Sequence, residues 1–129
     1  EMPPLEAAAV YVGINILLLI YLSLRVVLTR RSAQVSVGHG GNAELELRTR
    51  VHGNATEYIP AMMVGLVTAA YMGIPVLWIH VLGGTFTFGR LLHVIGLSRN
   101  ILPARASGML LTWIAMIAIA LMLIYHGLA

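Results

Sequence analysis

Apolar residues fill four stretches of this chain, at positions 7–29, 58–72, 74–97 and 106–129, with the strongly polar residues crowded between them. A membrane-spanning helix needs about 20 mostly apolar residues at about 1.5 Å each, so the first, third and fourth stretches qualify outright. The second is short, but the amphipathic segment after Asn42 extends it backwards. Asn42 is a good helix N-cap, and Glu44 and Glu46 follow in the first turn, where the helix dipole favours negative charge. The pattern predicts four helices, at residues 7–31, 43–72, 75–97 and 104–128. The second would exceed the hydrocarbon thickness by about 15 Å, projecting its first turns into the cytoplasm and leaving Glu57 near the inner edge of the apolar layer. Pro60 has no N–H for the Thr56 carbonyl and should bend that helix. Pro75 and Pro103 suit first helical turns.

Composition agrees with this division. With 59% hydrophobic residues, only 10% charged and a mean hydropathy of +0.87, the chain is no soluble domain of 129 residues. The reading is an all-α integral membrane protein: one domain over residues 1–129, folded as an antiparallel four-helix bundle. Residues 1–6 carry no basic group, and the apolar run after them is too long for a signal-peptide core, so it is read as a retained spanning helix. The absence of cysteine excludes disulfides, thiolate metal sites and a cysteine nucleophile. All eight basic residues are Arg, which suits forked contacts to carboxylates and phosphates, or simply reflects Arg-favouring codons. Every one of them falls at the end of the first and third helices or the start of the second and fourth. The positive-inside bias therefore puts both connecting loops in the cytoplasm and both termini outside.

Arg50, Asn54, Glu57 and Tyr58 share one face of the second helix. A buried Arg or Glu costs roughly 2.5 to 3.5 kcal/mol at a membrane centre, so such a cluster needs mutual pairing, a ligand or an ion path. Antiparallel packing brings the inner helix ends together: Arg30 and Arg31 from helix one, His52 with the four above from helix two, Arg90 and His93 from helix three, and Arg105 from helix four. The expected result is a cationic pocket with one buried carboxylate, suited to a small polyanion that also carries an ammonium group. Simpler readings stand beside this one. Arg30 and Arg31 also read as a topology signal, Arg25 as a headgroup contact or a partner for Glu57, and Arg90 as a bridge between helices. His93 reads equally as an interhelical hydrogen bonder, and Glu57 as the permanent partner of Arg50 or of an Arg from a neighbouring helix. His39, His80 and His126 have no metal-ligand spacing, so no metal site is expected.

The string Arg50-Val-His-Gly-Asn-Ala-Thr-Glu-Tyr-Ile-Pro60 resembles the second-helix signature of the MAPEG family, the membrane-associated proteins in eicosanoid and glutathione metabolism. That family includes microsomal glutathione transferases, leukotriene-C synthase and microsomal prostaglandin E synthase. Tyr21-Leu-Ser-Leu-Arg-Val-Val-Leu-Thr-Arg-Arg31 looks like the end of helix one in leukotriene-C synthase. Phe88-Gly-Arg-Leu-Leu-His93 with Pro103-Ala-Arg105 is similar to the helix-three end and helix-four start. The first string is specific and the other two support it. The resemblance implies a bacterial-type homotrimer in the inner membrane, surrounded by lipid and without a nucleic-acid partner. Glutathione, the co-substrate, would lie bent between neighbouring subunits. Residue by residue, the resemblance places Arg30, Arg50, His52, Asn54, Glu57, Tyr58 and His93 on glutathione-contacting positions. It places Arg105 at the thiolate and Arg31 at the electrophile.

The chemistry of Arg105 has its own physical basis. A cysteine-type thiol has a pKa of about 8.5, so only a few per cent is thiolate at pH 7. A guanidinium at the positive N-terminus of helix four would favour the thiolate, and a two-unit shift requires about 2.7 kcal/mol. The thiolate would then attack an apolar electrophile dissolved in the bilayer. Three departures narrow the reading: Leu97 stands where several family members have a Tyr, Gly53 where prostaglandin E synthase has an Arg, and Ala106 where that enzyme has a Ser. Three function classes follow. They are a glutathione-dependent transferase or peroxidase, a non-catalytic thiol- or lipid-binding or structural membrane protein, and a small four-helix cation exporter. The exporter would want an acid in the middle of helix one, where this chain has Asn15.

Overall fold

The computed structural model describes residues 2–129; Glu1, counted above with the N-terminal residues and the single domain, lies outside them. The chain forms four helices: α1 (Pro4–Ala33), α2 (Ala43–Tyr71), α3 (Val76–Ser98) and α4 (Leu102–Leu128). Each boundary has a local cause. Pro3 and Pro4 start α1, and Gln34, in the left-handed conformation at φ 56°, ends it by returning its N–H to the Arg30 carbonyl. The Asn42 side chain accepts from the Leu45 N–H at 2.9 Å and caps α2 as expected. Gly73, at φ 84°, turns the chain between α2 and α3, and Pro75 holds the extended residue just ahead of α3. Asn100 at φ 55° makes the corresponding turn into α4, whose first turn contains Pro103.

At about 1.5 Å per residue even the shortest helix, α3, reaches about 35 Å, more than a hydrocarbon core of about 30 Å. By length and composition α1, α3 and α4 are apolar enough to cross a membrane; α2 is not, because its first half carries the polar cluster. Pro60 is accommodated inside an unbroken α2. The helices alternate in direction. The most extensive contacts are α3 on α4 and α1 on α2; α2 and α3 form the centre, and α1 and α4 do not touch among the described residues. Leu22, Val51, Ile59, Leu66, Ile79 and Phe86 fill the interior. Leu17, Leu24 and Leu28 of α1 and Leu110, Ile117 and Leu121 of α4 point outward. Such contiguous apolar surface is unsuited to water and natural in lipid.

The α3–α4 contact is unusually close. A Cβ added at Gly96 would stand 2.2 Å from the Arg105 nitrogen, and one at Gly108 would stand 2.5 Å from the His93 nitrogen. Gly89 faces Gly108 and Leu111 in the same seam. In lipid, where apolar surface gains nothing by leaving the solvent, small residues associate helices by letting backbones meet. Farther from the arginine-rich end, the buried Asn15 amide of α1 donates to Thr87 Oγ1 of α3 at 3.0 Å and to the Tyr11 carbonyl. The membrane-centre position that lacks an acid is thus a polar tie between helices.

Candidate functional site

All eight arginines lie toward one end of the bundle, where the α1 and α3 C-termini meet the α2 and α4 N-termini. Side chains join these ends. Arg25 Nη2 donates to Ser98 Oγ at 3.1 Å, linking α1 to α3. Arg48 donates to Thr29 Oγ1 at 2.8 Å, linking α2 to α1, and pairs with Glu44 at 3.2 Å. Thr29 is free to accept because its own hydroxyl donates to the Arg25 carbonyl.

Arg90 occupies the centre of this end and is fully buried. Its Nη2 donates to Asn54 Oδ1 of α2 in a short bond, while Nη1 lies 3.5 Å from Thr112 Oγ1 and 3.6 Å from the Met109 sulfur of α4. The Tyr58 ring lies under the guanidinium, 5.5 Å from centroid to carbon. A buried guanidinium must be matched by acceptors and a polarizable face, and one Arg here ties three helices together. The reading of Arg90 as a bridge therefore describes its geometry, and Asn54 and Tyr58 are its partners. His93, one turn later, is 2% exposed and stands where the α3 and α4 backbones touch; its Nδ1 is buried without a partner.

The other expected site residues are not gathered into a pocket. Arg30 folds back on its own loop, donating to the carbonyls of Gly38 at 2.6 Å and Val35 at 3.5 Å. Arg31 is exposed beside a shallow hollow lined by Val27 and Val35. Arg50, Glu57 and Arg105 are exposed, and His52 is half-buried. Glu57 is thus not the buried carboxylate expected from the sequence, and it pairs with neither Arg50 nor Arg25; the ion pairs among the described residues are His39–Glu46 and Arg48–Glu44. The reason is rotational. α2 buries Val51, Ala55, Ile59 and Met62, and at 100° per residue the Arg50–Glu57 face lies roughly a third of a turn away. Among the described residues, Arg50, His52, Glu57 and Arg105 line none of the five principal hollows of the protomer.

Sequence reasoning missed the glycine seam that fixes Arg105 against α3, although Gly89 and Gly96, seven residues apart on one helix face, were a readable signal. It also left His80 unassigned; His80 Nδ1 lies 2.8 Å from the Tyr11 hydroxyl near the opposite end of α3.

The chain resembles known proteins along nearly its whole length. It is 36% identical over 114 residues to the inner membrane protein YecN of Escherichia coli strain K12, covering 88% of this chain and 87% of the relative. The YecN of Escherichia coli O6:H1 matches to the same extent. The model of the MAPEG family matches residues 8–125, from early α1 to late α4. With four helices, three of them apolar enough to span a bilayer, and the family model matched over most of its length, the chain belongs to the MAPEG family.

Proposed function

We propose that this membrane protein binds glutathione and activates its thiol for attack on lipophilic electrophiles or hydroperoxides. The observation that carries the reading is the contrast between two sets of polar residues. Both terminal nitrogens of the buried Arg90 are engaged within the protomer, whereas Arg50, Glu57 and Arg105 are exposed and form no ion pair among the described residues at the same end of an apolar bundle. Charges at the edge of a bilayer need partners, and a second protomer with a charged ligand between them supplies those partners. The working assembly is a homotrimer in a bacterial inner membrane, with the arginine-rich end in the cytoplasm. Glutathione then fits by charge. Arg50, joined by Arg30 when it leaves its loop carbonyls, faces the carboxylates and Glu57 the ammonium; His52, Asn54 and Tyr58 line the cleft, and a side-chain movement at the α3–α4 seam brings His93 to it. Arg105 stands in the first turn of α4, where unsatisfied backbone N–H groups add positive potential for the thiolate. Arg31, exposed at the end of α1, faces the incoming electrophile.

Stopped-flow ultraviolet spectroscopy of the purified protein mixed with glutathione tests this. Thiolate absorbance should appear with the wild type and vanish in Arg105→Ala. Absence of both binding and thiolate in the wild type sinks the proposal. A second reading, a non-catalytic thiol binder, is favoured by half-buried Leu97, which supplies no hydroxyl one turn beyond His93. Binding without thiolate would select it.

A further inference from the structure

We infer that the groove between α1 and α3 is a binding site for one anionic phospholipid, independent of the glutathione reading. The two helices run in the same direction, and their polar ends are level where Arg25 meets Ser98. α3 ends there, at Ser98, with Arg99 as its cap, whereas α1 continues through Ala33 for roughly 12 Å. A hollow of about 310 Å³ runs from this contact back between the two helices. Its head is formed by Tyr21, Arg25, Ser98 and Arg99, and its floor by Leu18, Leu91, Val94 and Ile95.

Charge selects the occupant. Among the described residues, two guanidinium groups line the head and no acid does. Glu6 belongs to the far end of α1, Glu44 and Glu46 are paired beyond this groove, and Glu57 is on α2. Arg25 uses Nη2 on Ser98, and its Nε is buried without a partner. The Tyr21 ring, itself exposed, lies 5.7 Å from the Arg25 guanidinium, as aromatic residues do at headgroup level. Below this head the floor is wholly apolar. Leu18 precedes Arg25, and Leu91 precedes Ser98, by two turns, or roughly 10 Å, so both walls offer the same depth for an acyl chain. An inorganic anion would use only the head. A phosphodiester headgroup with its acyl chain uses both.

Native mass spectrometry of the purified protein in detergent, titrated with phosphatidylglycerol and phosphatidylcholine of matched acyl chains, tests the inference. The wild type should retain the anionic lipid roughly tenfold to thirtyfold more strongly, the size that two interfacial arginines supply. Combining Arg25→Gln with Arg99→Gln should abolish the preference, and Leu91→Trp should weaken retention of both lipids by filling the floor with the charges intact. Arg30→Gln with Arg31→Gln should leave the preference unchanged. Circular dichroism confirms that each variant is folded. An unchanged preference in the Arg25 and Arg99 variant, an equal loss in the Arg30 and Arg31 variant, or full displacement of the lipid by inorganic phosphate would overturn the assignment.

Discussion

Gly96→Ala tests whether the α3–α4 seam sets the position of Arg105. The added Cβ would stand 2.2 Å from the Arg105 nitrogen, 2.6 Å from its Cα and 2.8 Å from the Ala104 carbonyl carbon. All three are backbone atoms, so no side chain can swing aside, and the helices must part by roughly 1 Å to restore ordinary contact. Overpacking of this kind costs about 1 to 3 kcal/mol, and the backbone-to-backbone geometry places it at the upper end. Replacing Gly by Ala in a helix returns up to about 1 kcal/mol, so the net loss should be about 2 kcal/mol. Gly13→Ala is the internal control: its Cβ meets nothing within 4 Å, and only the propensity gain applies. Equilibrium unfolding in mixed micelles, followed by circular dichroism, should separate the two variants by about 3 kcal/mol. Equal stability would refute the close approach and the anchoring of Arg105 that rests on it.

Arg90→Ala removes the link among α2, α3 and α4 and leaves Asn54 without its donor; a loss of about 2 to 4 kcal/mol is expected in the same unfolding assay. Thr87→Ala should cost about 0.6 kcal/mol and no more than about 1.7, the range of interhelical hydrogen bonds within membranes, and a double-mutant cycle with Asn15→Leu should return most of it as coupling. Asn42→Ala removes the α2 cap and should cost about 1 kcal/mol, with faster amide exchange confined to residues 43–46.

The four helices were legible because their causes are local. Apolar run lengths, the Asn42 cap and the prolines fix the ends to within a few residues, and the crowding of arginines fixes which ends meet. The bridging role of Arg90 was legible for a related reason: a guanidinium in an apolar helix must find acceptors on its neighbours. Glu57 was not. Its burial depends on how α2 is rotated about its axis, which the Val51–Ala55–Ile59 stripe decides, and on surfaces beyond one protomer. Arg30 was also open, because the loop carbonyl of Gly38 competes for it and no spacing rule anticipates a loop contact. The α3–α4 seam was legible in part: the spacing of Gly89 and Gly96 marks a helix face of small residues, and only the partner helix reveals which glycines are pressed against something.

Because α1 and α4 never meet, the molecule divides naturally into two hairpins, α1–α2 and α3–α4, each holding its own most extensive interface and joined by the short turn at Gly73. During synthesis the first pair can settle before the second has left the ribosome. The second then docks as a unit, setting its Arg90 side chain against the waiting Asn54 and its Thr87 against Asn15.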